Sequence, residues 1–321
     1  MMFGKTIPIV LFGGIHLMFL FVIVFHTFGL FYGLIFVPFL AYIFFKVTPV
    51  EFNLNQFLLT LISFGVGYVS TVQAVDVFSV TSVYASALVG AIFSFFRLKY
   101  FPLFSAAVYS GSFAGMVADF HIEETYVECV IIILGGSLFY FLKDNFNGIG
   151  GKLGSIGFGA MLFPILLGRE KSFFNQVFDE YLSINPTGEL SSGKALLFAL
   201  IISLFGAILT YWLNNKKGYG PIKASAIPTF FVAIPLQLVP VSGFLALVPV
   251  IFFGASFVGM SNDKNLGWLG VVASSVLYAI IFNFIHPYFN GYGGTLGATA
   301  CLSSLMGVLL QKAFNSQTVR V

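Results

Sequence analysis

Between positions 7 and 310 the chain is written as apolar runs broken only by short polar punctuation, and this pattern leaves little freedom of fold class. The runs are 7–25, 30–45, 57–75, 77–96, 101–118, 126–142, 153–167, 195–213, 224–239, 241–260, 266–285 and 296–310, twelve in all. A helix needs about 20 apolar residues to cross a hydrocarbon core of about 30 Å, and most of the runs approach that length. Because they are continuously apolar and do not alternate with period two, a transmembrane barrel is excluded. Only 8% of residues are charged, against about 25% in an ordinary soluble domain, so polar groups could not cover this chain in water. The expected fold is an all-α polytopic membrane protein of about twelve transmembrane helices, with the lipid bilayer as its solvent. Residues 1–6 hold one lysine and lead into about 40 apolar residues, too many for the core of a cleaved leader, so the segment is read as retained.

The positive charges test that count. With the N-terminus inside, the inner segments hold Lys5, Lys46, Arg97, Lys99, Lys143, Lys152, Lys216, Lys217, Lys223, Lys264, Lys312 and Arg320. Only Arg169, Lys171 and Lys194 fall outside. A missed or invented span would scramble this asymmetry, so the pattern places both termini in the cytoplasm of a bacterial-type inner (plasma) membrane.

One phrase occurs twice. Phe146-Asn147-Gly148-Ile149-Gly150-Gly151-Lys152-Leu153-Gly154 returns as Phe289-Asn290-Gly291-Tyr292-Gly293-Gly294-Thr295-Leu296-Gly297, identical at seven of nine positions. Ser112-Phe113-Ala114-Gly115-Met116 likewise returns as Ser256-Phe257-Val258-Gly259-Met260, and Ala85-Ser86-Ala87-Leu88 is echoed by Ala224-Ser225-Ala226-Ile227. The echoes keep their order, so the chain carries an internal duplication. Each half holds five runs, an odd number, and the second half must therefore enter the membrane from the opposite side. The expected organisation is an N-terminal transmembrane hairpin (1–54), a first five-helix repeat (55–168), an external connecting loop (169–194), a second, inverted repeat (195–311) and a cytoplasmic tail (312–321).

Inverted repeats build a site near the membrane midplane that both faces can reach, the plan of many transporters. The glycine-rich phrases are the best candidates for that site. Asn-Gly favours a turn, adjacent glycines let backbone N–H groups converge, and each phrase opens a helix whose positive end faces it. The runs behind them hold about 15 residues, roughly 22 Å of helix, so re-entrant or broken helices are expected there. The candidate solute pathway is thus Asn147, Gly150, Gly151, Lys152 and Gly154 with Asn290, Gly293, Gly294, Thr295 and Gly297. Ser112, Phe113, Ser256 and Phe257 join it as hydroxyl and aromatic partners, although Gly111 with Gly115, and Ala255 with Gly259, also read as a small-residue packing seam.

Several chemistries are excluded or left thin. The phrase is not a nucleotide-binding loop, since Phe146 stands where that pattern requires glycine and Leu153 where it requires a hydroxyl. Glu128, one turn inside its run, is the single candidate for ion coupling, and it has no acidic counterpart in the other half. His121, Glu123 and Glu124 gather on the outer side without a second ligand pair at helical spacing, so no metal site is expected, and no cofactor. His16 and His286 are read as packing or loop residues, and Cys129 and Cys301 as small core residues. Scattered lysines speak against nucleic acid. The functional expectation is a transporter or channel for a small neutral or anionic solute, not an enzyme, whose partners are the small-molecule or ion substrate and the bilayer, with a homo-oligomer compatible. The alternative class is a non-transport membrane protein, either lipid-acting or a structural partner.

Overall fold

The computed structural model describes residues 50–96, 98, 101–117, 125–166, 193–239, 243–289 and 293–318. Ten α-helices run through them: α1 Leu54–Phe78, α2 Ser82–Phe93, α3 Phe104–Ala114, α4 Thr125–Leu142, α5 Lys152–Leu166, α6 Gly193–Tyr211, α7 Pro221–Leu238, α8 Val248–Gly259, α9 Trp268–Phe289 and α10 Thr295–Thr318. Single turns of tighter or wider helix extend three of them, at Gly115–Val117, Trp212–Lys216 and Gly243–Leu247. Each apolar run from 57 onward carries one of these helices, while the runs 7–25 and 30–45 and the connecting loop lie outside the described residues.

The described part is all-helical, and five of its helices are long and apolar enough to span a membrane: Leu54–Phe78, Thr125–Leu142, Gly193–Lys216, Pro221–Leu238 and Trp268–His286. Shorter apolar helices cover Ser82–Phe93, Phe104–Val117 and Leu245–Gly259. The outside of the bundle is apolar. Leu58 and Ile62 on α1, and Leu197, Ile201 and Phe205 on α6, stand exposed at four-residue spacing. Hydroxyls lie inside instead, with Ser86, Ser112, Ser225, Ser256, Thr229 and Ser303 fully buried. A protein in water could not present such stripes singly on successive turns, whereas hydrocarbon accommodates them and leaves small and hydroxyl residues to mediate helix contact.

Helix ends depart from the expected runs for local reasons. Asp76 does not end α1, which continues to Phe78 and turns at Ser79 in the left-handed region (φ 49°). Thr81 then caps α2, its hydroxyl accepting from the Tyr84 N–H at 3.4 Å. The expectation of two equally short helices behind the glycine phrases needs correction in the second copy. α5 is described over 15 residues, but α10 over 24, because the helix continues past its apolar run through the more polar stretch from Gln311.

Packing recurs in one order. α1 packs on α3 and α4 as α6 packs on α8 and α9, and α5 lies against α3 and α4 as α10 lies against α8 and α9. The segments 54–166 and 193–318 meet chiefly through α2 with α7 and α5 with α10. Two hydrophobic clusters fill the interior, and Leu153, at the start of α5, packs against both.

Candidate functional site

The two glycine phrases come together at the meeting of α5 and α10. A Cβ on Gly154 would sit 2.5 Å from the Gly297 Cα, and one on Gly297 would sit 2.4 Å from the Gly154 Cα, so the two backbones touch. Around this crossing the chain repeats its own geometry. Gly151, with φ +83°, lies against the Gly297 carbonyl and the Cys301 amide; Gly294, with φ +81°, lies against the Gly154 carbonyl and the Phe158 amide. As the numbers rise along one segment they fall along the other, so the first two turns of α5 and α10 run antiparallel. The seven steps from Gly151 to Phe158 cover about 10 Å at 1.5 Å each. Each helix therefore starts on its own side of the crossing, with Gly150, Gly151, Gly293 and Gly294 all buried.

Each phrase also rests on the opposite half. Gly150 approaches the carbonyls of Phe257 and Val258, and Gly293 those of Phe113 and Ala114. The side chains of those supports form a plug. Tyr109, Phe113, Phe253 and Phe257 are at most 1% exposed. Their centroids stand 4.4 Å apart for Tyr109 with Phe113, 4.6 Å for Phe253 with Phe257 and 4.8 Å for Phe113 with Phe257, all tilted or edge-on as ring quadrupoles prefer. Beside the rings lie two matching hydroxyl pairs, Ser86 with Ser112 at 2.9 Å and Ser225 with Ser256 at 2.6 Å. Ser112 and Ser256 also donate to the carbonyls of Tyr109 and Phe253. The match breaks at one atom: the Tyr109 hydroxyl reaches Ser225 at 3.1 Å, and Phe253 has no hydroxyl to return the contact to Ser86.

A half-open cavity of about 170 Å³ leads to the plug from the end of the bundle that carries Lys143. Its wall includes Phe113 and Phe257, the residues from Gly151 to Gly154, and Lys143. Lys152 lines it too, although this lysine is only 8% exposed. Its ammonium donates to the Asn147 Oδ1 at 2.9 Å and to the Lys143 carbonyl at 3.1 Å. Both acceptors are neutral. The first helical bond of α5 runs from the Ser155 N–H to the Gly151 carbonyl at 3.0 Å, so the N–H groups of Lys152, Leu153 and Gly154 precede the ladder, as the first amides of any helix must.

The first phrase is clamped at the same end of the bundle. Gly150 N–H donates to Ser261 Oγ (3.0 Å), Asn262 N–H to the Gly148 carbonyl (2.9 Å) and Asn265 Nδ2 to the Asn147 carbonyl (2.8 Å). Asn214 and Asn215 in turn hold the Ser261 carbonyl from α6's end. Asp263 accepts from the Tyr211 hydroxyl and stands 3.9 Å from the exposed Lys216 ammonium.

Of the residues singled out from the sequence, the structure gathers Gly150, Gly151, Lys152, Gly154, Gly293, Gly294 and Gly297 at the crossing, with Thr295 buried where the second copy replaces Lys152. Ser112, Phe113, Ser256 and Phe257 lie beside it. Asn147 is at the cavity mouth. Glu128 is half-buried in the first turn of α4 and is not among the cavity residues. His286 stacks on Phe282 at 4.7 Å. Asn290, His16, His121, Glu123 and Glu124 lie outside the described residues, among which no cluster of three metal-ligating side chains occurs. Sequence reasoning missed Tyr109 and Phe253, which precede Ser112 and Ser256 by three residues in both copies; that shared aromatic-x-x-Ser-Phe spacing was the available signal. It also left the role of Ser86 and Ser225 unassigned, and nothing local pointed to Ser261, Asn262 and Asn265.

These features define a helical protein with membrane-compatible helices and a polar-mouthed cavity ending on buried rings. No family model, no curated protein and no solved structure matches the chain.

Proposed function

We propose that the chain is a transporter or channel that moves a small neutral or anionic solute through a membrane, along the interface of two inverted five-helix repeats. The observation that carries this reading is the cavity, which penetrates from the Lys143 end to Phe113, Phe257 and Gly154, residues drawn from both halves at the line where they meet. A merely structural bundle has no need of a buried, lysine-lined recess ending on an aromatic constriction. The antiparallel pairing of the phrases and the matched serine pairs favour inversion, because two halves inserted in the same sense would bring equivalent helices together parallel. On this reading there are twelve spans, with the N-terminal hairpin preceding the repeats. Both termini face the cytoplasm, and the Lys143 end, which also bears Lys264 and Lys216, is the cytoplasmic mouth in an inner-membrane topology. The rings close the route in the conformation described, and passage requires them to part.

The test is flux in proteoliposomes of the full chain, with urea and glycerol as neutral solutes and chloride, nitrate and formate as anions. Wild-type flux of at least one solute, raised severalfold by Phe113→Ala with Phe257→Ala in protein that still elutes as folded, is the expected result. No flux of any solute by either protein sinks the transport reading.

A further inference from the structure

Resting on that reading of the same cavity, we propose that its substrate class is a small monovalent anion, bound at Lys152 and the first-turn amides of α5. Four observations converge. First, Lys152 lines the cavity while more than nine-tenths buried, and its two protein partners are neutral oxygens. An ammonium has three N–H donors, so one is left for a ligand. Second, the residues lining the cavity include no aspartate or glutamate, and among the described residues no carboxylate lies within ion-pair distance of Lys152; Asp144, whose charge is felt at Lys152, is exposed. A buried cation is normally paired at contact distance, and that is the position a solute anion can take. Third, α5 begins at Lys152, and its first residues Lys152, Leu153 and Gly154 all line the cavity. A cation there is unfavourable beside the positive helix end, but both become favourable when an anion sits between them. Fourth, Lys143 is a second cation at the same end of the bundle, its ammonium donating to Gln56 Oε1 at 2.8 Å and lying 4.2 Å from the Tyr140 ring, and it adds to the positive field around the mouth.

Size and charge narrow the ligand. A cavity of about 170 Å³ is comparable to the roughly 150 Å³ cavity that takes up one benzene, so a ligand of about six heavy atoms or fewer fits. One buried cation balances one negative charge, so halide, nitrate or formate fits and a phosphate dianion does not. The second copy carries Thr295 in place of Lys152, and the two ends of the proposed route thus differ in charge. Anion selection then belongs to the Lys143 end, and the far end offers only hydroxyl and amide donors.

The experiment uses the detergent-solubilised full chain at constant ionic strength, exchanging the bulky anion gluconate for chloride, nitrate or formate, together with the flux assay above. Lys152→Thr is the decisive variant, since threonine already opens the equivalent helix, and Lys152→Arg keeps the charge. Wild type is expected to gain thermal stability from small anions in a saturable way. Lys152→Thr should weaken the apparent affinity at least tenfold, about 1.4 kcal/mol, and lower anion flux while sparing any neutral flux. Lys152→Arg should restore the anion response. If wild type shows no small-anion stabilisation, or Lys152→Thr keeps it, the anion site is overturned even where neutral solutes still pass. Absence of all flux with the Lys152-dependent stabilisation intact would instead overturn transport and leave the anion site standing. A Lys152→Thr protein that does not fold is replaced by Lys152→Met, judged by the same two outcomes.

Discussion

Gly154→Ala probes the contact on which the rest of the site depends. The new Cβ would lie 2.5 Å from the Gly297 Cα and 3.2 Å from its nitrogen, both backbone atoms that no rotamer change can move. Carbon atoms settle at about 3.5–4.0 Å, so α5 and α10 must separate by roughly 1 Å, enough to forfeit a quarter to a half of each dispersion contact at the crossing. Overpacking of this kind costs about 1–3 kcal/mol. The helix-propensity gain of alanine over glycine returns at most about 1 kcal/mol, and less in a first turn. The net expectation is a loss of about 1–2 kcal/mol in a reversible unfolding measurement in micelles or bicelles. Gly297→Ala should cost a similar amount, because its own Cβ meets Gly154 at 2.4 Å. The double variant is the sharper test. One separation relieves both clashes, so the pair should be strongly sub-additive, with a coupling of about 0.5–3 kcal/mol. Gly193→Ala serves as the control, having nothing within 4 Å of the added carbon. A Gly154→Ala protein as stable as wild type, or two losses that simply add, would refute the close crossing.

Two further expectations concern the polar groups around it. Ser225→Ala strips the Tyr109 hydroxyl and Ser256 of a shared partner in a fully buried place, and should cost about 1–3 kcal/mol; Tyr109→Phe, which copies Phe253, leaves the Ser225–Ser256 pair intact and should cost less than half of that in the same unfolding assay. Asn265→Ala removes one of the ties from the 261–265 turn to the first phrase, and should speed amide hydrogen exchange at 146–150 with little change at 293–297; uniform exchange across both would show that the clamp does not hold the loop.

The duplicated phrases were legible because identity repeats in the linear sequence whatever the fold. The same repetition brought Ser112, Phe113, Ser256 and Phe257 into view. Tyr109 and Phe253 escaped because they differ in identity, and an aromatic inside an apolar run is the least informative residue when lipid and core are equally apolar. Ser86 and Ser225 sat in a visible echo, yet their pairing with Ser112 and Ser256 depends on how α2 and α7 are rotated. The overlong α10 was misjudged because an apolar run marks where lipid ends, and a helix is free to continue into water beyond it. The turn holding Ser261, Asn262 and Asn265 reads as ordinary polar loop until the first phrase is seen resting on it, more than 100 residues away in the chain.

By itself the sequence determined the class, since a chain with so little charge and such long apolar runs forms helices suited to hydrocarbon. It also determined that two of its parts are variations on one theme. What only the tertiary structure decided is which faces meet. In water the apolar face of a helix announces its inside, but a helix that is apolar all round carries no such label. The inward side is then chosen by close approach at Gly154 and Gly297, by hydroxyls that need partners, and by one buried lysine at a cavity. Those choices depend on shape complementarity between segments about 140 residues apart, and no local pattern encodes it.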